Sequence, residues 1–364
     1  MSSQHNVDCG HEYRLRGGSG EEFVAELAAK TFLIDWCFPN PKLPNGKELC
    51  DLLVIFEGTA IIWQVKNTKL RNDGSIDLKA VDKNLRQLKG ARRRVFNLRT
   101  PIEIQNARRQ PERLNPDLIE EVFLVSAMVG DSPDLLGAPI EIGGFPCHVL
   151  ARDAVEIILN ELDTISDFLA YLREKERVLP SIGSILLEGG EKELLAHYIL
   201  NERSLADLEN HSGVYVGEGA WDDLQNRPEY QAKQEADRIS YGWDSMIDAV
   251  HLGAHPQYER IAREMAKLNR FDRRYMSQSF YDAHLLAHQC AAPRMTFKRV
   301  GSIKGTTFVF LFAGDAVAPF ERKATLESLC FIARGMYLEN KTVLGIQTEM
   351  LFRPECSYAW CLME

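Results

Sequence analysis

The stretch GKELCDLLVIFEGTAIIWQVKN, Gly46 to Asn67, decides how the first half of this chain is read. Its middle is almost wholly apolar, while Asp51, Gln64 and Lys66 stand towards its two ends. The Glu57-Gly58 pair divides two apolar runs and predicts a two-residue hairpin turn, glycine supplying the positive φ. The strands are then Leu49–Phe56 and Thr59–Lys66. Phe56 opposes Thr59, and that register sets Asp51 directly across from Gln64, with Lys66 two residues further along the same face. Three polar groups converge at one end of the hairpin. Leu52, Leu53, Val54 and Ile55 face Ile61, Ile62 and Trp63 without a polar break, so both faces of the sheet are expected to be covered.

A carboxylate and an ammonium at the edge of a buried sheet each carry a desolvation cost of roughly several kcal/mol unless paired or metal-bound. An Asp51–Lys66 salt bridge offsets part of that cost but leaves the Gln64 amide without partners. A divalent cation accounts for all three groups. Asp51 and the Gln64 side-chain oxygen are hard oxygen ligands, the Val65 carbonyl is another, and Lys66 can hold a phosphate or an attacking water.

Asp51, twelve residues, then Gln64-x-Lys66 resembles the core motif of the restriction-endonuclease-like superfamily, PD-(D/E)XK, in the Gln variant of its methylation-dependent restriction branch. Cys50 stands where that motif nominally has proline. The superfamily also carries a glutamate on the helix before the motif strand. Here GEEFVAEL supplies Glu21, which shares a helix face with Val24, Ala25 and Ala28; Glu22 is the second choice and Glu26 fits less well. The resemblance covers about residues 17–130. It implies a DNA endonuclease dependent on Mg²⁺, with Mn²⁺ able to substitute, whose ligands are Asp51, Gln64, Glu21 or Glu22, and the Val65 carbonyl. Lys66 would orient the water. Gln in place of an acid implies weaker metal affinity. The helix after the motif would face substrate, which makes Lys83, Gln87, Arg92, Arg93 and Arg94 the nucleic-acid contacts.

Charge agrees with a polyanion met at one face. The chain carries a net −9, yet Lys79 to Arg113 holds eleven Lys or Arg against Asp82, Glu103 and Glu112. The eight cysteines are scattered without a CxxC pair, so reduced thiols are expected in place of a disulfide framework or zinc ribbon. No apolar run is long enough to span a bilayer and no secretory leader is present, which together predict a cytoplasmic protein without membrane contact. His284, His288 and Cys290, like His251 and His255, have helical zinc-ligand spacing but lack companions, and read as ordinary helix residues. GVYVGEGAWDD lacks a phosphate-loop signature, and the Gly-Asp loop closing GSIKGTTFVFLFAGD reads as a turn.

The pattern predicts helices over 21–33 and 76–96, strands at Glu121–Met128 and in FPCHVLA, and one long helix from Arg152 to Glu176 closed by Pro180. This is a mixed α/β domain over residues 1–178. A mainly helical region follows at 179–295, then a small α/β unit at 296–364, or a single domain over 179–364. TTFVFLFAG, KTVLGIQTE and YAWCLME read as strands around the helix APFERKATLESLCFIARGMYLE. Three functions fit. The first is a nuclease acting in restriction or antiviral defence, dimeric because cutting both strands of a duplex takes two sites. The others are an inactive nuclease fold that binds nucleic acid, and a small-molecule sensor or partner-binding module in the C-terminal half.

Overall fold

The computed structural model describes residues 20–67, 77–97, 102–108, 111–130, 139–253, 257–289, 295–350 and 357–364. The protein is mixed α/β and divides into two compact units. The first takes in residues up to Val54, Ala60–Leu135 and Ile140–Val155; the rest, including the turn Ile55–Thr59, groups as the second.

In the first unit, α1 (Gly20–Phe32) leads to β1 (Cys37–Pro39), β2 (Leu52–Phe56) and β3 (Thr59–Lys66). Helix α2 (Leu78–Asn97) follows, then a separate hairpin of β4 (Ile102–Ile104) and β5 (Glu112–Leu114). Strands β6 (Glu121–Met128), β7 (Ile140–Glu141) and β8 (Pro146–Ala151) complete a six-stranded sheet in the order β1-β2-β3-β6-β8-β7. β1 runs antiparallel to β2, and β6 parallel to β8. The turn has positive φ at both Glu57 (46°) and Gly58 (78°), the conformation that matches the twist of a two-residue hairpin.

Amphipathic α2 buries Val81, Asn84, Leu88, Ala91 and Val95 and leaves its basic residues outside. Val81 and Leu85 pack on Met128 of β6 and Val149 of β8. Helix α1 buries Phe23, Val24, Leu27 and Ala28. Its first residue, Gly20, admits a close approach: a Cβ there would lie 2.2 Å from Val129 Cγ2 and 3.5 Å from Val65 Cγ1. The N-terminus of α1 is thereby set against the end of β3.

The expected single helix over 152–176 is two. α3 (Arg152–Glu161) stops, and α4 (Ile165–Val178) restarts after Thr164, whose hydroxyl accepts from the Asp167 N–H at 3.1 Å. A cap of this kind satisfies an otherwise orphaned donor and sets a new helix start inside a continuous apolar pattern.

The second unit continues with β9 (Ile185–Leu187), α5 (Glu191–Leu200), β10 (Val214–Val216), α6 (Ala220–Gln225), α7 (Pro228–Asp237), α8 (Tyr241–His251), α9 (Tyr258–Ala266) and α10 (Arg270–Gln289). β11 (Met295–Ile303), β12 (Thr306–Ala313), α11 (Pro319–Met336), β13 (Thr342–Glu349) and β14 (Ala359–Met363) close it, the four strands forming one sheet in chain order. Alternate residues of β12 serve opposite faces. Val309 and Leu311 pack with Leu326, Cys330 and Ala333 of α11. Phe308 meets Trp243 edge-on, and Phe280 of α10 packs against Phe310 and Phe312. His284 stacks on Phe312 at 5.1 Å and belongs to this core. Cys290 and His255 lie outside the described residues. Cys37, Cys50, Cys147, Cys330 and Cys361 are free thiols. No helix among the described residues is long and apolar enough to cross a membrane.

Candidate metal and nucleic-acid site

The site grows from the open end of the β2–β3 hairpin. The regular strand begins at Leu52, so Asp51 sits at a bend one residue before it and not in a strand pair opposite Gln64. Its N–H donates to the Trp63 carbonyl at 3.2 Å, and its own carbonyl accepts from Asn40 N–H at 2.9 Å. The side chains meet nonetheless. Asp51 Oδ2 accepts from Gln64 Nε2 and from the Val65 N–H, both at 2.5 Å. Both residues are 8% exposed.

The Asp51 carboxyl is pushed up from the usual 3.8 to about 6. Burial is the largest cause, and the negative charges of Glu21 and Glu48 add to it, against the lowering hydrogen bonds from Val65 and Gln64. Of the two glutamates in the first turn of α1, Glu21 is therefore the one whose field acts on Asp51, and Glu22 is exposed beside it. Glu48 is absent from the sequence-based set. It was visible there as the acid three residues before Asp51, but its partner strand was not: a bridge between Lys42 and Glu48 folds the segment 41–49 back on itself.

A cleft of about 360 Å³ opens at this point. Glu48, Cys50, Asp51 and Gln64 form its sheet side, and Lys83, Arg86, Gln87, Gly90 and Arg94 of α2 form the other wall. Positions 83, 86, 87, 90 and 94 are one stripe of a helix with 3.6 residues per turn. Of the residues the sequence offers for nucleic-acid contact, Lys83, Gln87 and Arg94 line this cleft, and Arg86 joins them. Arg93 is exposed outside the cleft lining. Arg92 is turned away, its guanidinium stacked 3.3 Å over the Phe145 ring and 5.2 Å from that of Phe96. Lys66 is half-buried at the end of β3, outside that lining, and forms no ion pair with Asp51 among the described residues. Its carbonyl accepts from Val129 N–H at 2.9 Å.

One fully buried residue holds the two walls together. Asn84 Nδ2 donates to the Gln64 carbonyl at 3.0 Å and to Ser126 Oγ at 2.7 Å. The signal was an amide on the apolar stripe between Val81 and Leu88, which such a stripe tolerates only when bonded.

Among the described residues no three His, Cys, Asp or Glu side chains form a group able to hold a metal ion. A cation at Asp51 would draw on other donors as well, namely the Gln64 amide oxygen and a backbone carbonyl. Two exposed carboxylates, Glu21 and Glu48, add negative field at the buried Asp51, and that field favours a cation there. A larger cleft, about 800 Å³ between residues 39–44 and the β4–β5 hairpin, offers mainly proline and amide walls and a Glu103–Arg113 cross-strand pair. No protein-family model, curated protein or solved structure matches this chain.

Proposed function

We propose that the protein is a metal-dependent nuclease that hydrolyses phosphodiester bonds of DNA. One observation carries the reading. A buried carboxylate with its pKa raised to about 6 shares a cleft with an amide and faces three cations, Lys83, Arg86 and Arg94, on one helix. Carboxylates attract a divalent ion, cations attract phosphate, and hydrolysis of a phosphodiester needs both at one point.

Asp51, Gln64, Glu21 and the Val65 carbonyl are the groups that would hold Mg²⁺ or Mn²⁺. The ion would polarise a phosphoryl oxygen and acidify a bound water. Gln64 turns its amide nitrogen to Asp51 here, so acting as an oxygen ligand requires a half-turn of the amide. The Val65 N–H keeps Asp51 oriented through that change. Lys83, Arg86 and Arg94 would fix the strand by its phosphates. Lys66 lies outside the cleft lining, and its part in orienting the water is what the Lys66→Ala variant tests.

The test is incubation of the purified protein with plasmid and with single-stranded DNA in Mg²⁺, Mn²⁺ or EDTA, beside Asp51→Ala and Lys66→Ala. Cleavage that needs metal and is lost in Asp51→Ala is the expected result. Folded protein that binds DNA but never cuts it, under any metal, would reassign the chain as a nucleic-acid-binding protein on a nuclease-like scaffold.

A further inference from the structure

Gly90 lies well inside the twenty-residue helix α2, where glycine is the least favourable residue apart from proline. Packing normally explains such a residue. Gly242 in α8 has that explanation, because a Cβ there would lie 2.4 Å from the Tyr281 hydroxyl. Gly335 has open space but stands next to the last residue of α11, where a helix tolerates glycine. At Gly90 an added Cβ would meet nothing within 4 Å, so no neighbour among the described residues requires its absence. The open side faces the Asp51 cleft, between Lys83, Arg86 and Gln87 on one side and Arg94 on the other.

We propose that Gly90 marks where the sugar-phosphate backbone of one nucleic-acid strand crosses α2, its bare surface letting a phosphate rest against the helix between Arg86 and Arg94. This rests on the nuclease reading and adds the path of the strand to it. A side chain at 90 would lift the strand off the helix and lengthen the contacts of the flanking cations, whose attraction to phosphate falls with distance. The same side chain would favour the helix. Stability and binding therefore respond in opposite directions, which a residue kept for folding would not produce.

The experiment compares wild type, Gly90→Ala, Gly90→Leu and Gly335→Ala as full chains in EDTA. Each is measured for melting temperature and for affinity towards a fluorescent 20-nucleotide single strand and its duplex, in DNA and in RNA form, across a salt series. Gly90→Ala is expected to raise the melting temperature by about 1–3 °C while weakening binding. Gly90→Leu is expected to weaken it about tenfold and to flatten the salt dependence by about one phosphate contact. Gly335→Ala should leave binding unchanged. Wild-type affinity in Gly90→Leu, or a lower melting temperature in Gly90→Ala, would overturn the proposal and leave the nuclease reading standing. Folded wild type that binds none of the four probes would overturn both.

Discussion

Two buried sets of charge in this molecule are built on opposite plans, a network in the second unit and a single carboxylate in the first. In the second unit Arg270, 4% exposed, places Nε 2.8 Å from Asp163 and Nη1 2.8 Å from Asp244, with Ser240 Oγ and the Asp163 carbonyl as further acceptors. Arg273 bonds Asp244 at 2.6 Å and the carbonyls of Leu268 and Ala266. Asp167 accepts the Arg270 N–H at 2.8 Å and pairs with Arg203. Every charge there has its opposite. In the first unit Asp51 is surrounded by hydrogen-bond donors and by two further acids, with no ion-pair partner among the described residues. A satisfied network is architecture. Asp51 has no direct ion pair among those residues yet shares its cleft with Lys83, Arg86 and Arg94 of α2, an arrangement that architecture alone does not require.

The comparison is broken most severely at Asp244. Asp244→Ala leaves two buried guanidiniums short of an acceptor and is expected to destabilise the protein by about 3–5 kcal/mol, read as a fall in urea midpoint. A change under 1 kcal/mol would mean that the network is not what holds the α8–α10 corner. Asp51 should behave in the opposite sense. Its folded-state pKa of about 6 lies above the ordinary 3.8, so the unfolded chain releases this proton first. Stability therefore falls as pH rises from about 4 to about 6 and stays lower above that. Asp51→Asn removes this loss, so the variant should be more stable than wild type by up to about 3 kcal/mol at pH 7.5 and no different at pH 4. A variant less stable than wild type at both values would show that the carboxylate is structural.

Metal sharpens the contrast. Mg²⁺ or Mn²⁺ at a hundredfold excess over its dissociation constant should stabilise wild type by about 2.7 kcal/mol and leave Asp51→Asn nearly unaffected, as thermal shift would record. The smallest effect separates neighbours on α2. Arg94→Ala should weaken DNA binding several-fold and lower the salt slope by about 0.9, the value for one phosphate contact. Arg92→Ala should lower stability through the lost stacking on Phe145 and leave the slope alone. Equal slopes in the two variants would mean that the cleft does not define the contact surface.

Legibility in the sequence followed the kind of signal. Short apolar runs bounded by turns gave β6, β12, β13 and β14 nearly residue for residue, and the turn at Glu57-Gly58 fixed the hairpin that brings Asp51 to Gln64. Periodicity gave α1, α2 and α11. What escaped depends on single contacts across the chain. The break between α3 and α4 lies within an unbroken apolar repeat and turns on one hydroxyl, that of Thr164. β1 is three residues long and β9–β10 pair over three, lengths at which pattern carries little information. β11 has mixed burial along its length, and the sequence pattern assigns no strand there. At the site, charge alone did not distinguish Arg94 from Arg92, because the stacking of Arg92 on Phe145 joins residues far apart in sequence.

Asn84 gives the cleft a fixed measure. By bonding the Gln64 carbonyl it forbids α2 from sliding along β3, so the row of cations keeps a constant offset from Asp51. From Lys83 to Arg94 that row rises about 16 Å along the helix axis. At about 3.4 Å per nucleotide of a strand in a duplex, the row covers about five phosphates. On the nuclease reading proposed above, α2 would act as a ruler with a minimum readable length, and oligonucleotides shorter than about five residues would fall between its marks.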